Sequence, residues 1–165
     1  MATTLTVKRI QQLSPLERRK FYTWIEGMTV ADDREDGQSF SEWLHLHETR
    51  PDDKIWVFYD PSTCVLIGTA SLVDEDRDLL APIGGWVIGG VNVIRNLRGR
   101  GFGTAIMTWL ESEIKQSTRK KSNPVQVLLK ADNPIAIHLY QTFGFTNVPG
   151  KVDVYEKVYH PGDGR

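Results

Sequence analysis

The spacing of apolar residues along the chain predicts strands alternating with helices. Residues 5–10 alternate weakly between apolar and polar side chains and predict a first strand. Residues 54–59 and 64–73 are apolar, β-branched runs joined by Asp60-Pro61-Ser62-Thr63, a turn sequence with proline at its second position, so they predict an antiparallel hairpin. Residues 85–94 predict a further strand. This part of the sheet is therefore expected to be an antiparallel meander.

Other segments carry apolar residues at helical spacing. Two helices are predicted to start at capping boxes, Ser14-Pro15-Leu16-Glu17 and Ser39-Phe40-Ser41-Glu42. A third helix is predicted from Gly101 to about Gln116. A fourth begins at Asn133, an N-cap followed by proline, and ends at Gly144. The sheet is therefore flanked by at least four helices.

Two further segments complete the predicted sheet. Residues 125–130 are apolar on both faces, as in an interior strand. Because a helix crosses between this strand and the one at residues 85–94, the two are predicted to be parallel. Residues 148–158 supply the last strand or strands, and the tail from residue 160 is expected to be frayed.

The candidate chemistry lies between the strand at residues 85–94 and the third helix. Gly89 and Gly90 interrupt that strand, which indicates a bulge or a close approach to the backbone. The next loop, Arg98-Gly99-Arg100-Gly101-Phe102-Gly103, is basic and heads a helix. The first amides of a helix have no intrahelical acceptor and carry partial positive charge, and arginines pair with phosphate oxygens. The loop therefore predicts a diphosphate site.

Two other glycine motifs fit this loop poorly. A P-loop ends in Gly-Lys-Ser/Thr, whereas Gly103-Thr104 lacks the lysine. A Rossmann fingerprint requires G-x-G-x-x-G after the first strand, and this loop has another spacing and lies past the middle of the chain. A flexible turn is the structural alternative.

A second motif follows about thirty residues after the loop: Asn133-x-x-Ala-x-x-Leu-Tyr140-x-x-x-Gly-Phe145. Together with Arg98-x-x-Gly-x-Gly103, it resembles the two signatures of the GNAT superfamily of N-acetyltransferases, in the same order and spacing. The resemblance covers roughly residues 55–158. It implies that residues 1–165 form one GNAT domain, an α/β fold with a mixed, mostly antiparallel twisted sheet, splayed central strands and helices on both faces.

The resemblance also implies an activity: transfer of an acetyl group from acetyl-coenzyme A to a primary amine of a small molecule or peptide. The implied cofactor contacts are a strand segment beside the thioester arm, the phosphate loop and positions of the second motif. They are Val91, Asn92, Val93, Arg98, Gly99, Arg100, Gly101, Phe102, Gly103, Thr104, Asn133, Ala136 and Tyr140. Tyr140 is the implied catalytic residue, a general acid toward the departing thiolate. The structural alternatives are ordinary sheet core for residues 91–93 and a buried, hydrogen-bonded phenol for Tyr140.

The base that deprotonates the amine has no assignment. Many relatives carry a glutamate on the strand before the phosphate loop, whereas Trp86-Val87-Ile88-Gly89-Gly90 contains no acid. Asp74, Glu75, Asp76 and Glu35 are therefore candidates only. The acidic loops that contain them would attract a cationic amine, or they are solvated surface.

Several other residues have a structural or surface interpretation, alone or beside a functional one. Trp24, Trp43 and Trp86 line an aromatic acceptor pocket or belong to the core. Cys64 is interpreted as structural, and His138 is expected to face solvent because it lies about 200° around the helix from Tyr140. The cluster Arg119-Lys120-Lys121 lies about 24 Å from the loop, at the far end of the third helix, and is interpreted as a solvated end-cap.

Composition limits the remaining classes. The 165 residues fit one domain, and the net charge of −1 argues against a general nucleic-acid surface. One cysteine excludes an internal disulfide or a cysteine-rich zinc site, so no metal is expected. Without an apolar signal core or an 18-residue apolar run, we expect a cytoplasmic enzyme with no membrane partner, a monomer or homodimer.

Two alternative functions stay open. One is a non-catalytic module that binds acetyl-coenzyme A or only a partner, supported by the missing strand acid. The other is an RNA- or nucleotide-binding domain that uses Arg98-Gly-Arg-Gly-Phe102, which the charge balance disfavours.

Overall fold

The fold is given by a computed structural model, which describes residues 3–28, 40–74 and 85–163. Its strands are β1 Thr6–Arg9, β2 Lys54–Tyr59, β3 Leu66–Val73, β4 Gly85–Val93, β5 Val125–Lys130, β6 Thr146–Asn147 and β7 Val154–Tyr159. Its helices are α1 Pro15–Met28, α2 Phe40–Glu48, α3 Phe102–Thr118 and α4 Pro134–Thr142. Within these described ranges, no helix combines the length and apolarity needed to cross a bilayer.

The seven strands form one sheet in the order β1-β2-β3-β4-β5-β7-β6. Strands β4 and β5 pair in parallel, and every other neighbouring pair is antiparallel. The predicted hairpin, the predicted parallel pair and the mixed, mostly antiparallel sheet are therefore confirmed.

Several predicted strand boundaries differ from the structure, mostly by one or two residues. The first strand ends at Arg9, because Ile10 begins a short 3-10 turn. β3 starts at Leu66 rather than at Cys64, whose φ of 56° places it inside the turn, where its amide donates to the Asp60 carbonyl at 2.9 Å. Cys64 is consequently exposed rather than packed. The last strands start at Thr146 and Val154, so residues 148–153 form their connection.

Helices cover both faces of the sheet. Helices α1 and α2 bury Phe21, Ile25 and Leu44 against Ile55 and Val57 of β2 on one face. On the opposite face, the apolar stripes of α3 and α4 pack on β2 to β5 and β7, with Ile106, Leu110 and Tyr140 in the main buried cluster. The predicted two-sided cover is confirmed.

The three tryptophans do not line one pocket. Trp24 and Trp43 pack with the α1–α2 cluster, whereas Trp86 packs against the α3 cluster on the other face. Of the two interpretations, the structure therefore favours core residues over a common pocket: neighbouring β4 residues point to opposite faces, so Val87 faces Trp43 and Trp86 faces away from it.

Helix caps fix two of the predicted starts. Ser14 and Glu17 form the reciprocal capping box, with the Glu17 amide donating to Ser14 Oγ at 3.2 Å and the Ser14 amide donating to Glu17 Oε2 at 2.8 Å. Asn133 Oδ1 accepts from the Ile135 amide at 2.9 Å. Ser39 of the second predicted capping box, the acidic loop at 32–37, Glu75 and Asp76 lie outside the described residues.

Candidate active site

Strand β4 changes its pairing halfway along its length. Its parallel ladder with β5 runs from Gly85 opposite Gln126 to Ile88 opposite Leu129, and among the described residues the ladder ends there. The next residues bend: Gly90 has φ +57°, and the register with β3 shifts between Thr69 and Ser71. The predicted distortion of this strand is present, and beyond Ile88 no described residue of β4 has a ladder partner on β5. We call the place where the two strands part the β4–β5 gap.

The three residues beyond the bend, Val91, Asn92 and Val93, are half-buried. Val91 and Val93 pack against the α3 cluster, so by strand alternation Asn92 points to the α2 face. Their backbone runs along the unpaired edge of β4. This location is compatible with the predicted contact to a thioester arm, which stays a prediction.

The phosphate loop presents free amides. Gly101 is the N-cap of α3 with φ +85°, and no side chain within the described ranges caps this helix. The first intrahelical bond runs from the Ala105 amide to the Gly101 carbonyl at 3.0 Å, so the amides of residues 102–104 have no helical acceptor. A Cβ on Gly99 or Gly101 would have no neighbour within 4 Å, which leaves the amides open to a ligand.

Arginines surround this loop. Arg95, Arg98 and Arg100 are exposed. The Arg98 Nε donates to the Val93 carbonyl at 2.9 Å, which ties the loop to the end of β4. The loop therefore combines a helix dipole, open amides and positive side chains, a combination that attracts phosphate.

A groove of about 340 Å³ lies between the start of α3 and one face of α4. Its lining residues are Gly99, Gly101, Gly103, Thr104, Ile135, His138, Leu139 and Thr142. His138 is exposed, as predicted, but its exposed face borders this groove, which the sequence analysis missed. The available signal was the i, i+3, i+4, i+7 spacing from Ile135 to Thr142 together with an isoleucine that is 80% exposed.

Tyr140 lies on the face of α4 that packs against the sheet, and its residue surface is 7% exposed. It belongs to the same buried cluster as Ile88 and Leu129, the last paired residues of β4 and β5. Its ring packs edge-on against Phe145 with centroids 6.3 Å apart. The role of Tyr140 as general acid stays a prediction. Burial raises the pKa of the Tyr140 phenol to about 12. The phenol is consequently a neutral donor across the physiological pH range.

Two predicted contacts from the second motif serve the helix. The Asn133 carboxamide oxygen caps α4, and the Ala136 amide is the weaker of its two donors, at 3.5 Å. These bonds give Asn133 a structural role, while its contact with a cofactor, like that of Ala136, stays a prediction.

Asp74, the one acidic candidate among the described residues, and the basic cluster lie at the other end of β4. Asp74 follows β3 and borders a second groove beside Gly85 and Trp86. At about 3.3 Å per strand residue, it lies about 13 Å along the sheet from Gly90. Lys121, beyond the C-terminal end of α3, lies 5.9 Å from the Trp86 ring centroid. The basic cluster is therefore at the far end of α3, as predicted.

A buried histidine–aspartate pair was missed in the sequence. His47 Nδ1 lies 2.5 Å from Asp53 Oδ2, and the two side chains are 5% and 3% exposed. The other carboxylate oxygen, Asp53 Oδ1, accepts from the Asp74 amide at 2.8 Å. Because these residues come from α2 and from the ends of β2 and β3, only the fold brings them together.

Comparison with known proteins gives the same family as the motifs. A family model described as "Acetyltransferase (GNAT) family" matches residues 11–145. A sequence comparison with curated proteins finds no match.

Solved structures of low sequence identity share the fold. The spermidine N-acetyltransferase from Vibrio cholerae, in complex with CoA and spermine, has a TM-score of 0.61 and 19% identity, and the alignment covers 94% of this chain and 95% of that one. NAA60 from Arabidopsis thaliana, in complex with a bisubstrate analogue, has a TM-score of 0.57 and 17% identity over 96% and 99% of the two chains. A KacTA–DNA complex has a TM-score of 0.58 and 14% identity over 94% and 93%.

Proposed function

Because the chain belongs to the GNAT family of acetyltransferases, we propose that it transfers the acetyl group of acetyl-coenzyme A to a primary amine. The observation that carries the proposal is the gap beyond Ile88 and Leu129, which lies between an open phosphate loop and a buried phenol. A loop alone would suit any phosphate ligand. The gap gives the arm of a thioester carrier a path into the sheet.

Three parts of the carrier have a matching part of the chain. The amides of residues 102–104 and the exposed arginines suit the diphosphate. The groove beside α4 suits the part of the carrier that follows the diphosphate, which has apolar and polar segments. The groove offers Ile135, Leu139 and Thr142 as contacts. The backbone of residues 91–93 lies where the arm would run, with peptide groups that β5 does not pair.

The transfer replaces the C–S bond of the thioester with a C–N bond and releases one proton from the amine. The amine nitrogen attacks the thioester carbonyl carbon, the C–N bond forms, the C–S bond breaks and the nitrogen loses a proton. Backbone amide groups near residues 91–93 would polarise the carbonyl as charge develops on its oxygen.

Tyr140 acts on the leaving sulfur by donating a hydrogen bond. With a phenol pKa of about 12 and a thiol pKa near 8.5, complete transfer of the proton to the thiolate is uphill by about 5 kcal/mol. A hydrogen bond to the developing thiolate carries no such cost. Solvent then protonates the released coenzyme A.

The amine has to lose its proton before it attacks. A primary ammonium has a pKa near 10.4, so only about one amine in 2,500 is neutral at pH 7. Asp74 lies too far from the bend for direct contact, so it would act only through water. We therefore expect the rate to rise with pH through the neutral range, and Asp74→Asn to keep most of that rise.

The class of amine acceptor is also part of this proposal, and the structural neighbours guide the choice of amines to test. One neighbour is a spermidine N-acetyltransferase, so a small polyamine is the first probe, and a peptide amine, the other acceptor class implied by the sequence motifs, is the second. The test is release of free thiol from acetyl-coenzyme A in the presence of spermidine, a peptide N-terminus or a lysine peptide. Amine-dependent thiol release with an acetylated product is the expected result. Saturable binding of acetyl-coenzyme A without release for any amine would instead indicate a non-catalytic binding module.

A further inference from the structure

We propose that Phe40 and Trp43 of α2 restrict the acyl group of the donor to acetyl by closing the α2 side of the β4–β5 gap. This inference rests on the proposed function, because it assigns residues that select among acyl-coenzyme A donors. The two side chains lie outside both sequence motifs.

The rings of Phe40 and Trp43 touch the backbone of the bend. A Cβ placed on Gly90 would lie 2.6 Å from Phe40 Cζ, and a Cβ placed on Gly89 would lie 3.0 Å from Trp43 Cη2. Real Cβ atoms essentially never approach within 3 Å of such an atom, so a methyl group at Gly90 would require the Phe40 ring to shift. The two glycines therefore allow the rings to lie directly on the strand.

The donor would reach these rings from the opposite face of the sheet. The phosphate loop and its groove belong to α3 and α4, which cover one face, while Phe40 and Trp43 belong to α2 on the other. An arm that enters the gap from the groove thus points its acyl tip toward α2. Each carbon added to the acyl chain extends it toward the two rings.

Buried contacts hold the two rings in place. Phe40 and Trp43 stack with centroids 5.8 Å apart and planes at 16°, and Trp43 packs 4.2 Å from the His47 ring. His47 is in turn held by Asp53, and Trp43 also packs on Val73 and Val87. A wall supported in this way resists displacement by a longer chain, which makes the limit on length sharp.

The expected selectivity follows from the cost of a misfitted methylene. One methylene that a pocket accepts or excludes changes kcat/KM by about 10- to 200-fold. We expect the unaltered protein to lose at least about tenfold from acetyl- to propionyl-coenzyme A and more to butyryl-coenzyme A. The experiment measures thiol release with these three donors and one amine, together with the dissociation constant of each donor by calorimetry.

The variants distinguish the effect of removing the Phe40 or Trp43 ring from the effect of a less well packed core. Phe40→Ala and Trp43→Ala should raise the butyryl-to-acetyl ratio of kcat/KM at least about tenfold. Leu44→Ala is the control for a weakened core, because Leu44 is on the same helix and 1% exposed but is not among the nearest neighbours of Gly89 or Gly90, so its ratio should stay unchanged. Phe40→Leu keeps most of the buried volume and tests a smaller opening if the alanine variant does not fold.

The outcomes distinguish this inference from the proposed function. If the unaltered protein does not bind or use acetyl-coenzyme A at all, the proposed function fails. If it uses acetyl- and butyryl-coenzyme A equally well, or if Phe40→Leu and Trp43→Ala change the donor ratio no more than Leu44→Ala does, the assignment of Phe40 and Trp43 is overturned while the acetyltransferase activity stands.

Discussion

The two halves of β4 follow one another in the same strand but have different surroundings. From Gly85 to Ile88, the strand pairs with β5, and at Val87 and Ile88 it also pairs with β3 on its other side. From Gly89 to Val93, it pairs with β3 alone, with a shifted register and a positive φ at Gly90. The first half is therefore an interior part of the sheet, whereas the second half has no described partner strand on the side of β5.

This difference shows how a single strand serves both stability and binding. The first half buries Val87 and Ile88 between helices on the two faces. The second half keeps backbone groups available, and unpaired backbone in a protected place needs a partner. The proposed partner is the thioester arm, so each variant below is designed to alter one half and spare the other.

The largest effect is expected from Tyr140→Phe, which removes the donor where the paired half ends. Loss of the hydrogen-bond donor to the developing thiolate should lower kcat by about 10²- to 10³-fold, whereas the ring still fills the buried site. Because the pKa of the phenol is raised to about 12, Tyr140 stays protonated below that pH, and its ionisation should cause no loss of rate up to pH 10. Steady-state thiol release between pH 6 and pH 10 measures both. A kcat within threefold of the unaltered value would remove Tyr140 from the mechanism.

Binding to the open half should depend on the glycine loop. Gly101→Glu places a carboxylate among the amides that would hold the diphosphate, and we expect the dissociation constant of acetyl-coenzyme A to rise about 100-fold or more.

Gly150→Glu is the matched control for this loop variant. Gly150 has φ +77°, close to the +85° of Gly101, and a Cβ would be free of contacts at both positions. Both variants therefore carry a similar backbone strain of about 1–2 kcal/mol, but only Gly101→Glu should lose binding. Equal dissociation constants for the two variants, measured by calorimetry, would contradict the phosphate-loop assignment.

The bend itself is tested by Gly90→Ala. Alanine at this position has an unfavourable φ of +57° and a Cβ 2.6 Å from Phe40, so we expect the free energy of unfolding to fall by about 1–3 kcal/mol. Gly27→Ala, near the end of α1 with open space around it, should leave that free energy unchanged or raise it by up to about 1 kcal/mol. Urea unfolding of both variants gives the comparison. A Gly90→Ala protein as stable as the unaltered one would mean that the bend is not fixed.

The smallest expected effect is on the free energy of unfolding and concerns the N-cap of helix α4. Asn133→Ala removes the cap of α4 and should cost about 1 kcal/mol of unfolding free energy. Asn123→Ala, at an exposed loop position, should change it by less than about 0.5 kcal/mol. Chemical unfolding of this pair measures the cap, and equal values would show that the cap contributes nothing.

The sequence predicted most of the sheet because its signals are local. Strand β2 and strand β5 have the predicted bounds, since apolar runs between turn residues determine them. Strand β3 was predicted too long because nothing in the sequence marks Cys64 as a residue with positive φ.

The candidate site was predicted in part, for the same reason. Its loop and the start of α4 follow from glycine, arginine and capping residues that are neighbours in sequence. The wall of Phe40 and Trp43 and the pair of His47 and Asp53 depend on contacts between distant segments, and no period or motif reports such contacts.

Amide hydrogen exchange along β4, with and without acetyl-coenzyme A, tests the central claim most directly. The account predicts that the amides of residues 91–93 gain protection when the ligand is added, whereas those of Val87 and Ile88, already inside a complete ladder, do not change. Saturable binding with no added protection at residues 91–93, or with equal added protection along the whole strand, would contradict the claim that the gap receives the thioester arm.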